Sequence, residues 1–258
     1  MEHYQLTLAY DGTEFEGFQR QGSKRTVQLV LEQSLHEIGW KGKAILSAGR
    51  TDAGVHADGQ VVVFDLDWRH STKDLKAALN SGLPNDVAVK ALQVAEAGFH
   101  PRFDARARCY QYHLFSDPDR DPLRERFAWR IDWKLDRQAL DAAAQLILGK
   151  HDFSSVGRAM KPGASTERNV FSAGWRSAPG KGLVFQIIAD AFLYHMVRRL
   201  VHLQVKVATG RLEVEEFRKG IQQQAELPPG IAPAAGLFLH KIYYAKDWQE
   251  KLDLGVTR

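Results

Sequence analysis

Ala44-Ile45-Leu46-Ser47-Ala48-Gly49-Arg50-Thr51-Asp52-Ala53-Gly54-Val55-His56-Ala57-Asp58-Gly59-Gln60-Val61-Val62-Val63-Phe64 consists of two apolar runs around a glycine-flanked loop. Short apolar runs bounded by glycine read as strands. No helical pattern separates them, and the same holds for a later pair at about 170–177 and 182–189. A parallel α/β winding needs a crossover, usually a helix, between successive strands, so an α+β protein with a mainly antiparallel sheet is expected.

The loop Gly49–Ala57 carries Asp52 two residues after Arg50. Strands on either side make a rigid scaffold that can hold Asp52 in a defined direction. Gly49 and Gly54 are the loop residues best able to take positive φ or admit a ligand. Two readings of Asp52 are open. One is a turn aspartate paired with Arg50, since Asp and Gly are ordinary turn formers. The other is a nucleophilic or acid/base carboxylate, kept ionised by the guanidinium beside it. The pattern alone favours the turn.

Working outward, Leu6, Leu8 and Tyr10 alternate with polar neighbours as a half-buried strand that stops at Asp11-Gly12. Thr26 caps a helix whose stripe is Val27, Val30, Leu31, Ser34, Leu35 and Ile38, ended by Gly39. Strands are expected at about 43–48, 60–66 and 86–95, and a helix at about 72–81. The second half loosely repeats this order. A strand from Arg108 to Phe115 shows Tyr110, Tyr112 and Leu114 on one face, and a helix runs from its cap Asp136 to Gly149 on the stripe Leu140, Ala143, Ala144 and Ile147. The strand pair at 170–177 and 182–189 precedes a long helix at about 191–209, a loop Leu227–Pro233 and a last strand at about 236–244. Two related lobes are expected, with helices packed on one face and a catalytic cleft between them. Gly98, Pro101 and the arginines after it interrupt the pattern, giving lobes at 1–100 and 101–258.

At 100° per residue the long helix carries His195, Arg199, His202 and Lys206 on one polar face, with Arg198 at the apolar border. There Arg198 either snorkels outward or turns into a cleft as an anion partner, because a guanidinium stays charged when partly buried.

Composition narrows the class. The 258 residues are 44% hydrophobic and 26% charged, ordinary for a globular protein, with a formal charge of +4 that permits a polyanionic partner. The segment His100-Pro101-Arg102-Phe103-Asp104-Ala105-Arg106-Ala107-Arg108 interleaves three arginines with an aromatic ring. Cys109 is the only cysteine, which excludes an internal disulfide and a thiolate zinc cluster. The ten histidines show no metal-ligand spacing, so no metal is expected. The first residues lack a signal-peptide layout and no apolar stretch approaches the roughly 20 residues that span a bilayer, so a cytoplasmic protein without membrane contact is expected.

Several blocks in order resemble the TruA family of tRNA pseudouridine synthases. They are Asp11-Gly12-Thr13 with Gly17-Phe18-Gln19-Arg20-Gln21, the whole of Gly49–Ala57, Gly59-Gln60-Val61-Val62, and Asn80–Pro84 with Asp86–Val89. Phe99-His100 with Arg102-Phe103, Arg108–Tyr112, Gly149 with His151–Ser155, Ala191–Arg198 and Gly236–Leu239 continue the match along nearly the entire chain. Position 18 is Phe where the family usually has Trp, Val156 stands where an aromatic is usual, and Asn169 stands where threonine is more familiar.

The resemblance implies that Asp52 is the catalytic carboxylate of a uridine isomerase, with Arg50 and Arg198 keeping it ionised and Tyr110 stacking on the target base. It implies tRNA as substrate at anticodon stem-loop positions 38 to 40, a homodimer, and phosphate contacts from Arg20, Arg102, Arg106, Arg108 and Arg168. An isomerisation that retains every atom and changes no redox state requires no cofactor. Other RNA targets, an RNA-binding protein without catalysis, and a glycoside hydrolase using Asp58 or Asp65 as second acid are the competing readings.

Overall fold

A computed structural model of the chain describes residues 1–244 and Trp248. In order, the chain forms β1 (Glu2–Tyr10), α1 (Val27–Glu37), β2 (Leu46–Ser47), β3 (His56–Leu66), α2 (Thr72–Gly82), β4 (Val87–Val94) and β5 (Ala107–Ser116). It continues with α3 (Pro122–Glu125), β6 (Trp129–Ile131), α4 (Arg137–Gln145), β7 (Gly149–Asp152), β8 (Glu167–Ala178), β9 (Gly182–Ala189), α5 (Met196–Ala208), α6 (Val214–Gln223), a 3-10 turn at Ala234–Gly236 and β10 (Leu237–Tyr243). The protein is α+β with mainly antiparallel strand pairing. No helix among the described residues is long and apolar enough to cross a membrane.

Two compact units divide the chain. The first comprises Met1–Arg106 and the strand residues from Phe238. Its strand order is β4-β1-β3-β10, with β2 pairing on β3. Alternation in β1 buries Tyr4, Leu6, Leu8 and Tyr10, as its sequence pattern requires. In β3 the run Gln60–Phe64 is buried at every position, the signature of a strand covered on both faces. α2 packs on β4, and α1 against α2.

The helix starts are written locally. Thr26 accepts the Leu29 N–H, and Ser71 with Asp74 forms a reciprocal capping box. The expected strand at 43–48 shrinks to Leu46–Ser47. The buried Glu32 carboxylate takes the Ile45 N–H at 3.1 Å, which removes that donor from strand pairing. β3 begins at His56 rather than near 60, because His56 and Ala57 pair in parallel with Phe238 and Leu239 of β10.

The second unit is built on Ala107–Leu237. Its strand order is β5-β9-β8-β7, antiparallel throughout, with the short β6 parallel to β5. Asp136 caps α4 by accepting the Gln138 and Ala139 N–H groups, and Leu140, Ala143, Ala144 and Ile147 are buried as their spacing predicts. α4 packs against α5 and β8. The long helix starts at Met196, not near 191. His195 has φ of 65° and Tyr194 forms a bridge to Arg158, so residues 191–195 form a connection ahead of the helix. His195 therefore does not share the helical face of Arg199, His202 and Lys206. α6 was open to the same pattern reading, with Phe217 and Ile221 four apart and both buried.

Candidate active site

The loop bearing Asp52 is pinned on both sides. On its approach, the Ala48 N–H donates to Val61 O at 2.9 Å, while Ser47 Oγ and Gln60 Nε2 donate to Gly49 O at 3.1 and 3.0 Å. Thr51 turns inward, and its buried hydroxyl is 2.8 Å from the Tyr10 hydroxyl. Its carbonyl accepts the Phe18 N–H at 3.0 Å. Beyond Asp52, the Val55 N–H donates to Asp52 O and the Gly54 N–H to Phe15 O, both at 3.2 Å. Gly54 takes the positive φ, 74°, that this turn needs. His56 is fully buried, with Nδ1 accepting the Gly12 N–H at 2.9 Å and Asp11 Oδ1 3.2 Å away. Asp52 itself is half-buried and Ala53 is exposed. The result is a half-buried carboxylate on a loop whose Gly49, Thr51 and Asp52 carbonyls and Gly54 and Val55 N–H groups are committed.

The bed of this loop is the segment between β1 and α1. A Cβ on Gly12 would stand 2.1 Å from Val55 O, and one on Gly17, whose φ is 89°, would stand 2.9 Å from Thr51 O. Backbone meets backbone here, and only glycine permits it. Phe18 is fully buried beneath, 6.2 Å from the Tyr10 ring. One prediction arises directly. Thr51→Val keeps the shape and leaves the Tyr10 hydroxyl without its buried partner, so stability should fall by about 1–3 kcal/mol, read from denaturant unfolding. Unchanged stability would mean that this pair does not brace the loop.

Arg50 lies exposed and, among the described residues, forms no ion pair. The local Arg50 and Asp52 pairing expected from the sequence is thus absent. Thr51 between them is drawn into the core by Tyr10, and Arg50 is left facing solvent. Arg20 is also differently employed. Its Nη1 is 2.9 Å from Glu32 Oε2, the carboxylate that also accepts from Gln28 and Ile45. Arg20 neutralises a buried acid, and phosphate would have to compete with that carboxylate. Arg102 and Arg106 are exposed. Asp58 and Asp65, the alternative second acids, are engaged on the surface by His240 at 2.9 Å and His3 at 2.7 Å.

The remaining candidates belong to the second unit. The register Arg108↔Ala189 and Val170↔Ala189 brings the start of β5, the end of β9 and the Arg168–Asn169 part of β8 to one end of that sheet. Arg108 Nη1 donates to Asp190 O at 2.6 Å, and Asp190 Oδ1 accepts the N–H groups of Asn169 and Ala191 at 3.1 and 2.6 Å. Tyr110 is half-buried with its ring edge-on to Phe192, centroids 4.9 Å apart. Arg168 Nη1 donates to Ser165 O and Glu167 O at 2.9 and 2.5 Å, while its buried Nε has no partner. On α5, Arg198 Nε donates to Ala232 O at 2.8 Å and Arg198 O accepts the Ala232 N–H at 3.2 Å. Tyr112 Oη donates to Pro233 O at 2.8 Å. Burial pushes the Tyr112 phenol well above its ordinary pKa, against an opposing pull from Arg198.

Sequence reasoning passed over Tyr10, Thr51 and His56 as supports for Asp52, and Asp190 and Phe192 as partners of Arg108 and Tyr110. These needed partners from distant parts of the chain.

The sequence profile of a family described as tRNA pseudouridine synthase matches residues 7–104 and 143–245. A tRNA pseudouridine synthase A from Lacticaseibacillus casei (strain BL23) is 35% identical over 251 residues, covering 95% of this chain and all of that protein. Enzymes of the same name from Methylacidiphilum infernorum (isolate V4) and Geobacillus sp. (strain WCH70) are each 39% identical, covering 95% and 92% of this chain and 96% of each relative. With the match running across both units and through the Asp52 loop, the chain belongs to the tRNA pseudouridine synthase family of isomerases.

Proposed function

We propose that this protein isomerises uridine to pseudouridine in the anticodon stem-loop of tRNA, at positions 38 to 40, with Asp52 as the nucleophile. The observation that carries the reading is the half-buried Asp52 at the rim of a loop braced by Tyr10, Phe15, Phe18, Gly12 and Gln60. Nucleophilic catalysis needs a carboxylate whose position is settled before substrate arrives. A uridine leaves its stack and enters the site, which costs on the order of a few kcal/mol, recovered from contacts along the RNA. The Asp52 carboxylate drives cleavage of the C1′–N1 bond. The uracil turns, C5 bonds to C1′ as the Asp52 carboxylate is released, the C5 proton departs and N1 gains a proton, so every heavy atom is retained.

Arg198 acts with Asp52, Arg50, solvent-facing in the free protein, joins them when RNA is bound, and Tyr110 stacks on the uracil. The edge-on contact with Phe192 supports that role, because it sets the plane of the Tyr110 ring. Arg102, Arg106, Arg108 and Arg168 contact phosphates, and Arg20 contributes where it is not held by Glu32. The enzyme works as a homodimer in the cytoplasm, with residues 1–100 carrying the catalytic loop and 101–258 completing the RNA cleft. That second span includes 245–247 and 249–258, outside the described residues.

Pseudouridine mapping in bulk tRNA from cells lacking the protein tests the assignment: loss confined to positions 38 to 40 is the expected result. Unchanged tRNA would overturn it. Arg198→Ala should lower kcat by about tenfold to a hundredfold, with KM changed by less than about threefold, as expected for a group acting on the reacting carboxylate. Weaker binding at unchanged turnover would make Arg198 a phosphate contact instead.

A further inference from the structure

We propose that Phe103 is a stacking platform for an unpaired nucleobase of the tRNA, distinct from the uridine that reacts at Asp52. The inference rests on the reading of this protein as a tRNA-modifying enzyme. Phe103 is 77% exposed, an unusual state for so large an apolar ring. The loop that carries it is nevertheless built with care. Its two ends are tied to the last strand region, where Tyr244 Oη donates to Pro101 O at 2.9 Å and the Arg106 N–H donates to Tyr243 O at 2.7 Å.

Inside the loop, His100 Nδ1 accepts the N–H groups of Arg102 and Phe103 at 3.1 and 3.3 Å. Asp104 closes it, its carboxylate accepting the His100 N–H at 2.7 Å and its own N–H donating to His100 O at 3.1 Å. The His100 ring then packs on Phe103 with centroids 4.2 Å apart, so one side of the phenyl ring is backed while most of the ring stays in water. The ring is held in place, and nothing among the described residues covers it.

Arg102 and Arg106 are exposed on the same short loop. An aromatic face flanked by guanidinium groups is complementary to a nucleotide whose base is splayed out of the helix, with the base on the ring and the phosphate on an arginine. A paired duplex presents no free base face, so the feature fits a loop nucleotide of the tRNA.

The test measures binding of an unmodified tRNA transcript across a salt series, with sedimentation and thermal melting as controls. Phe103→Ala should bind about 5- to 150-fold more weakly than wild type, with melting and sedimentation unchanged. Its slope of log affinity against log salt should match wild type, whereas Arg106→Ala should lower that slope by about one. Phe103→Trp should keep affinity, and Phe103→Leu, which keeps apolar area without a π face, should behave like Phe103→Ala. Wild-type affinity in Phe103→Ala would overturn the proposal. Dissociation of an oligomer by Phe103→Ala would also overturn it, by making the ring a contact between copies of this chain. Failure of the underlying enzyme reading would look different, because the unsubstituted protein would then make no pseudouridine.

Discussion

Asp52→Asn is expected to reduce tritium release from tRNA labelled at uridine C5 by about three orders of magnitude or more, equivalent to at least about 4 kcal/mol of transition-state stabilisation. The substitution keeps size and shape, replaces one carboxylate oxygen by an amide NH2 and removes the charge. The bonds through Asp52 O, the Thr51 hydroxyl, the Gly54 N–H and His56 Nδ1 do not depend on the charge of the Asp52 side chain and survive the substitution. Melting temperature should match wild type and tRNA affinity should stay within about twofold of it, which separates lost chemistry from lost structure. Release at a tenth of the wild-type rate would remove Asp52 from the nucleophile role.

The second large effect lies outside the catalytic loop. Gly12→Ala forces a methyl to within 2.1 Å of Val55 O, and Gly17→Ala adds crowding of Thr51 O to a left-handed backbone. Neither neighbour is a side chain that could swing aside. Each variant should lose about 3 kcal/mol or more, lowering Tm by roughly 6–12 °C for a chain of this size, with activity falling as the loop is displaced. Gly49→Ala is the contrasting case: nothing stands within 4 Å of its added Cβ, so its Tm should match wild type. Equal melting of all three variants would show that the Asp11–Phe18 segment does not seat the loop. The glycines that limit space against the protein's own backbone are Gly12 and Gly17, which lie outside the Gly49–Ala57 loop.

Some of the site was open to reading in advance and some was not, and the dividing line is distance along the chain. Asp52 stood out through its own glycine-flanked loop and the blocks around it. Arg50 stood out by proximity in sequence, yet proximity did not make an ion pair, because Thr51 is pulled toward Tyr10, forty-one positions earlier. Arg20, a phosphate candidate in the sequence, is already engaged by the buried Glu32 carboxylate. His195 looked like part of a helical face, but its left-handed backbone precedes the helix. Periodicity registers which face a residue occupies, not which partner will claim its charge.

From sequence alone came the antiparallel α+β class, the caps at Thr26 and Asp136, the alternation of β1, the buried stripe of α4 and the family blocks that single out Asp52. Each depends on contacts within a few residues or on a periodic pattern, and such information is carried by neighbouring positions. Only the tertiary structure decided how the loop is held. The Tyr10 and Thr51 hydroxyl pair, the Gly12 N–H on His56, and the parallel pairing of Phe238 with His56 join residues far apart in the chain. A hydrogen-bond donor leaves no periodic trace of its acceptor, so these partners became known only when the folded backbone brought them within reach.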